Sequence, residues 1–179
     1  MDPHRTTRRR LLTVGLALPA LALPALGYSA SGASRRLGFY HTHTREALDV
    51  VYREGDDYLP DELARIDRFL RDFRTQEAHP IDPQLLDQLF DLQAAIGSTG
   101  EFQIISGYRS PQTNDLLREK SSGVAKRSLH MRGRAIDVRL TDVRTKTLRE
   151  AALAMQRGGV GYYPESDFVH LDTGRFRAW

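Results

Sequence analysis

Two short alternating segments constrain this chain more than anything else in it: AIDVRL over 135–140 and FVHLD over 168–172. In extended backbone, successive side chains point to opposite faces. Ile136, Val138 and Leu140 therefore share one face of the first segment, and Val169 and Leu171 share one face of the second. Asp137 is left on the polar face of one strand, and His170 and Asp172 on that of the other. If the two strands are neighbours, Asp137 and His170 meet, and His130 can fold back over them across the turn at Gly133. Two imidazoles and one carboxylate form a common catalytic zinc set, in which a fourth position stays open to water. A structural zinc site closes with four protein ligands, commonly thiolates. This chain has no cysteine, which also excludes disulfides and a thiol nucleophile.

The rest of the chain reads as one domain of ordinary size behind an address. Thr7-Arg8-Arg9-Arg10-Leu11-Leu12 opens an apolar run broken by Pro19 and Pro24, and Ser31-Gly32-Ala33 supplies a small-residue exit. Residues 1–33 are thus expected to be an export signal of twin-arginine type, leaving a periplasmic domain over 34–179. Contact with a membrane is expected only through an uncleaved signal. The formal charge of +3 comes from Arg5, Arg8, Arg9 and Arg10 in that leader, against Asp2. The remainder is balanced, so a nucleic-acid partner is not expected.

Within 34–179, LGFYH and EALDVVYRE suggest a hairpin around Thr42-His43-Thr44. Pro60-Asp61-Glu62 starts a helix with an apolar stripe running to Phe73. Asp82-Pro83 starts a second helix, which Gly97 ends. A strand over 102–106 leads through Gly107-Tyr108-Arg109-Ser110 into a helix capped by Ser110. Residues 120–129 are irregular, 134–140 form a strand, and 145–157 form a helix. Strands at 159–163 and 168–172 follow. Helices early and strands late predict an α+β class, with a largely antiparallel sheet assembled from the second half and flanked by helices.

Ser128-x-His130-x-x-Gly133-x-Ala135-x-Asp137 followed by Asp167-x-x-His170 resembles the metal signature of the D-Ala-D-Ala peptidase and murein endopeptidase superfamily, whose fold is shared with the hedgehog domain. Ser106-Gly107-Tyr108-Arg109-Ser110 resembles its upstream element, and the wording over 37–179 is similar to the MepK type of murein endopeptidase. The resemblance implies zinc on His130, Asp137 and His170, with Asp167 as general base and Arg109 facing the scissile carbonyl or a substrate carboxylate. It also implies an enzyme that hydrolyses cross-links between peptidoglycan stem peptides, diaminopimelate-type links leading, and a monomer is the simplest expectation. Alternatives are a D,D-carboxypeptidase acting on the same stems, or a non-catalytic zinc-containing wall-binding module. Phe168 stands where many members have a second histidine, and Tyr162 or Tyr163 is left to fill that place. Asp172 is a candidate to hold His170, while His41 and His43 lack a third ligand and are not assigned to a metal. Lys126, Arg127, Arg132, Arg134 and Arg139 make the site's surroundings basic, which suits substrates bearing carboxylates.

The leader yields a direct test. Intact-mass measurement of the exported protein should show a chain beginning at Ser34, and replacing Arg8 and Arg9 by lysine should hold the precursor in the cytoplasm.

Overall fold

The computed structural model describes residues 33–179 except Ser122. The leader reading over 1–33 therefore lies almost wholly outside the described residues. Among those described, eight strands form one mixed sheet: β1 (Ser34–His41), β2 (Ala47–Glu54), β3 (Asp57–Tyr58), β4 (Phe102–Ser106), β5 (Ala135–Leu140), β6 (Gly159–Tyr163), β7 (Phe168–Asp172) and β8 (Arg177–Ala178). Their order across the sheet is β3-β2-β1-β4-β5-β7-β6-β8. All neighbours are antiparallel except β1 with β4 and β6 with β8. The class is α+β, as expected, but the sheet is not confined to the second half. The parallel pairing of β1 with β4 joins the first hairpin to the later strands, a long-range contact that no local pattern announces. Among the described residues, no helix is long and apolar enough to cross a membrane.

Among the described residues, four α-helices accompany the sheet: α1 (Pro60–Phe69), α2 (Pro83–Ile96), α3 (Pro111–Lys120) and α4 (Thr145–Ala154). Their starts follow the sequence rules. Proline stands in the first turn of α1, α2 and α3, and the side chains of Asp82 and Ser110 accept from the Gln84 and Thr113 N–H groups. Gly97 ends α2 in the left-handed conformation, with φ of 70°. Helix α1 packs on β2, α2 on β1 and α4, and α4 on β5, β6 and β7. Leu37, Phe39, Phe102, Ile104, Ile136, Val138, Val160, Val169 and Leu171 are buried beneath them together with Ile66, Leu85, Leu89 and Leu148.

Two helices stop earlier than their apolar stripes predict. Helix α1 ends at Phe69 because Asp72, itself buried, turns the chain. Its carboxylate accepts from the Arg74 N–H at 2.9 Å and from the Ser110 N–H at 2.9 Å. Phe73 then stacks on His43, with ring centroids 4.0 Å apart, instead of extending the stripe. Helix α4 ends at Ala154 because Gln156 takes a φ of 52°, which closes the last turn before Gly158.

A polar hub ties the first hairpin to α2. The buried Asp87 carboxylate accepts from Tyr52 at 2.9 Å, Tyr58 at 2.6 Å, Arg35 at 3.0 Å and Arg53 at 3.1 Å. Burial opposes the Asp87 charge, yet the tyrosine hydrogen bonds and the two guanidiniums outweigh it and hold the carboxyl below its usual range. Removing one partner of such a network strands the others, at a cost of about 3–5 kcal/mol. Asp87→Ala should lower the unfolding free energy by about that amount, read as a shifted urea midpoint at unchanged slope.

Candidate metal centre

Strands β5 and β7 pair antiparallel with Asp137 directly opposite His170, and on the far side of β7 Gly161 stands opposite His170. This register puts the Asp137 carboxylate and the His170 ring on one face of the sheet, as the alternation predicts. His130 arrives from a 3₁₀ turn over Leu129–Arg132, capped by Ser128 and closed by Gly133 at φ 62°. A side chain at position 133 would collide with the Pro80 carbonyl, so both the dihedral and the space require glycine there.

Three ligand atoms converge. His130 Nε2 lies 3.2 Å from His170 Nδ1, His170 Nδ1 lies 2.9 Å from Asp137 Oδ1, and Asp137 Oδ1 lies 3.3 Å from His130 Nε2. Three ligands on a tetrahedral ion at zinc–nitrogen and zinc–oxygen bond lengths stand about 3.3 Å apart, so the triangle is the size zinc requires. Among the described residues this is the one histidine–acid group whose ligand atoms cluster in this way, and all three residues are buried or nearly so.

Neighbours fix which nitrogen each ring offers. His130 Nδ1 is 2.8 Å from the Gly107 carbonyl, which can only accept, so Nδ1 carries the hydrogen and Nε2 presents its lone pair. His170 Nε2 is 3.0 Å from Asp172 Oδ2, which leaves Nδ1 to face the cluster. Asp172 is itself fully buried and held by Arg177 at 2.6 Å and by the Gly159 N–H at 2.9 Å. Such carboxylate–histidine pairs orient a ligating ring and raise its basicity.

Protonation follows this wiring. Burial pushes the His130 pKa down despite Asp137 beside it, which favours the neutral ring. Burial also opposes charge on His170, but the hydrogen bonds to Asp137 and Asp172 prevail and raise it to about 9. Burial disfavours charge on Asp137, and the two imidazoles outweigh it and hold the carboxyl well below its usual range.

The centre opens on a cavity of about 410 Å³. Arg109 stands in its wall, with Nη2 3.6 Å from Asp137 Oδ2. Burial lowers the Arg109 pKa, Asp137 opposes that shift, and Nε has no protein partner. The turn carrying Arg109 is braced by the Tyr108 N–H on the Leu70 carbonyl at 2.8 Å and by the Arg109 N–H on the His130 carbonyl at 3.2 Å.

The structure does not bring Asp167 to this cluster. Asp167 sits in the left-handed region, at φ 50°, in the turn before β7. Its carboxylate accepts from Thr145 Oγ1 at 2.9 Å and from Arg139 at 3.2 Å, in a separate depression at the end of the sheet. Asp137 supplies the single side-chain carboxylate among the described residues lining the cavity.

Of the five basic residues expected near the metal, Arg127 lines the cavity. Arg134 is bound to Thr173 and Arg139 to Gln103. His41 stays in the first hairpin, where Nδ1 accepts from the His43 N–H at 3.2 Å and burial lowers its pKa to about 4. Arg177 and Trp179, which sequence reasoning missed, line the cavity from beside β6. Their alternate spacing after a Thr-Gly turn was the available signal, but two residues are too short a run to read as a strand.

The fold and this centre define a class: an α+β domain whose buried His–Asp–His cluster faces an open cavity, the residue set of a metal-dependent hydrolase. Comparison with known proteins makes the class specific. The model of a peptidase family described as "Peptidoglycan L,D-endopeptidase MepK" matches residues 29–179. The protein of that name from Escherichia coli is 43% identical over 182 residues, covering 100% of both chains, and so is the one from Shigella flexneri. A "Probable peptidoglycan L,D-endopeptidase MepK" from Haemophilus influenzae is 37% identical over 176 residues, covering 96% of this chain and 95% of its own. The chain belongs to this family of peptidases.

Zinc binding should carry a proton signature. Below a pH of about 9 a proton sits on the His170 nitrogen that the ion needs, while His130 is already neutral. Calorimetry in two buffers near neutral pH should therefore find about one proton released per zinc, with affinity rising as pH rises. Asp172→Asn should weaken zinc binding about 10–100-fold.

Proposed function

We propose that this chain is a zinc-dependent peptidoglycan L,D-endopeptidase, with the metal held by His130 Nε2, Asp137 Oδ1 and His170 Nδ1. The observation that carries the reading is the triangle of ligand atoms at tetrahedral spacing beside an open cavity. It occurs in a chain that matches relatives of that activity over its full length. The sheet is read as the D-Ala-D-Ala peptidase and hedgehog type. The leader over 1–33 exports the domain over 34–179 through the twin-arginine route, and the enzyme acts as a monomer on stem peptides in the periplasm.

A zinc ion bound there supplies Lewis-acid polarisation of a carbonyl and acidifies water. The remaining work falls to the chain's own side chains. Arg109 brings a desolvated positive charge to the wall of the cavity, where it can face the carbonyl oxygen as negative charge develops. Preorganisation matters here: the backbone turn that carries Arg109 is braced before substrate arrives, which limits the reorganisation needed during reaction. Arg127 adds positive charge at the cavity rim for substrate carboxylates. Asp167, the base implied by the resemblance, can act only if the 163–168 turn releases it from Thr145 and Arg139.

Cross-linked muropeptides incubated with zinc-loaded protein and analysed by mass spectrometry test the reading. Cleavage at an L,D bond is expected, with none by His170→Ala. Arg109→Ala should lower kcat by about 10²–10³-fold, the usual cost of removing one donor to a developing oxyanion. Asp167→Asn should stay within about tenfold of wild type, whereas a loss of 10²–10⁴-fold would identify it as the base. Intact muropeptides with zinc bound would overturn the enzymatic reading.

A further inference from the structure

Tyr163 is the last residue of β6 and pairs with Phe168 of β7, two positions along from the pairing of Gly161 with His170. It therefore shares the polar face of the sheet with the metal centre and lines the same cavity. Tyr162 points the other way, packing against the core with the Arg149 guanidinium over its ring at 5.3 Å. The Tyr163 ring stacks on Phe168, with centroids 4.5 Å apart and 17° between planes, which restricts its rotation.

The hydroxyl is also fixed. Trp179 Nε1 donates to the Tyr163 oxygen at 3.0 Å. The indole can only donate, so the tyrosine hydrogen must point to another acceptor. Among the described residues, no protein acceptor takes it. Trp179 in turn is held by its backbone, with its N–H on the Val160 carbonyl at 3.2 Å and its carbonyl accepting the Tyr162 N–H at 3.0 Å. The Arg177 guanidinium lies 4.9 Å over its ring. Gly161 leaves the room this requires, since a Cβ there would stand 2.7 Å from the indole. A tyrosine held by Phe168 and Trp179, its hydrogen without a partner among the described residues and its side chain lining the same cavity as the His–Asp–His cluster, is arranged to donate.

We infer that the Tyr163 hydroxyl is a substrate-facing donor of this site, placed by Trp179, that hydrogen-bonds the scissile carbonyl oxygen as the amide carbon becomes tetrahedral. The tyrosine keeps its proton throughout and no bond of it breaks. It supplements Arg109 at the same developing charge, and Trp179 is a positioning residue that acts through it. The inference rests on the function proposed above.

Tyr163→Phe, Trp179→Phe and the double variant test it, each checked for zinc content and folded circular dichroism. Tyr163→Phe should lower kcat on cross-linked muropeptides by about 10²–10³-fold, with KM within about threefold. It should also weaken a phosphinate stem-peptide analogue, measured by calorimetry, while leaving the affinity for cleaved product unchanged. Trp179→Phe keeps an aromatic ring and loses the N–H. It should lower kcat in the wild-type background and add nothing in the Tyr163→Phe background. A Tyr163→Phe enzyme within threefold of wild type, or independent effects of the two changes, overturns the inference. A wild type that binds zinc and leaves muropeptides whole overturns the proposed function instead.

Discussion

The antiparallel pairing of β5 with β7 is the constraint on which the rest of this structure depends. It places Asp137 opposite His170, and a slip of one residue would turn one of them into the helix-covered core. Such a slip is prevented by the opposite faces of the same strands. Ile136, Val138, Val169 and Leu171 are fully buried, and exposing any of them would cost about 1.5–3 kcal/mol. The hydrophobic effect thus sets the geometry of a polar site. The face that carries the His–Asp–His cluster is accurate because the other face is apolar.

Around that pair, each reactive group is held by something that does not react. The Gly107 carbonyl selects the tautomer of His130, and Asp172, bound by Arg177, holds His170. The turn that supplies Gly107 also carries Arg109, and Asp72 braces it through Ser110. The early termination of α1 therefore has a use, because the loop it releases supports the wall of the cavity. Strands at the other side of the site continue the pattern: β8 brings Arg177 toward Asp172 and leaves Trp179 against His170, with ring centroids 5.2 Å apart.

Much of this was readable as sequence, for reasons tied to particular residues. Alternation in 135–140 and 168–172 identified the two strands and the faces of Asp137, His170 and Asp172. Proline in the first turn, the Asp82 and Ser110 caps and Gly97 located four helix boundaries. These signals act within a turn or a few residues, so local reasoning captures them. It missed the parallel pairing of β1 with β4, whose partners are separated by two helices. It also missed Trp179, whose role comes from a backbone pairing with Val160 and not from any neighbour in sequence. Asp167 carries the complementary lesson. Its spacing from His170 satisfied the motif, but spacing does not set the direction of a side chain in a left-handed turn.

By itself, then, the sequence determined which atoms were available: two imidazoles and a carboxylate on polar strand faces, no thiolate to close the shell, and an arginine in a turn. Those follow from residue identity and from backbone periodicity. The tertiary structure alone decided how far apart they stand and which of their lone pairs converge. It brought His130 Nε2, Asp137 Oδ1 and His170 Nδ1 within 3.3 Å of one another, turned Asp167 toward Thr145, and set the Trp179 indole N–H on the Tyr163 oxygen. The physical reason is that ligand geometry depends on strand register and on hydrogen bonds from residues tens of positions away, and those form only when the core has closed.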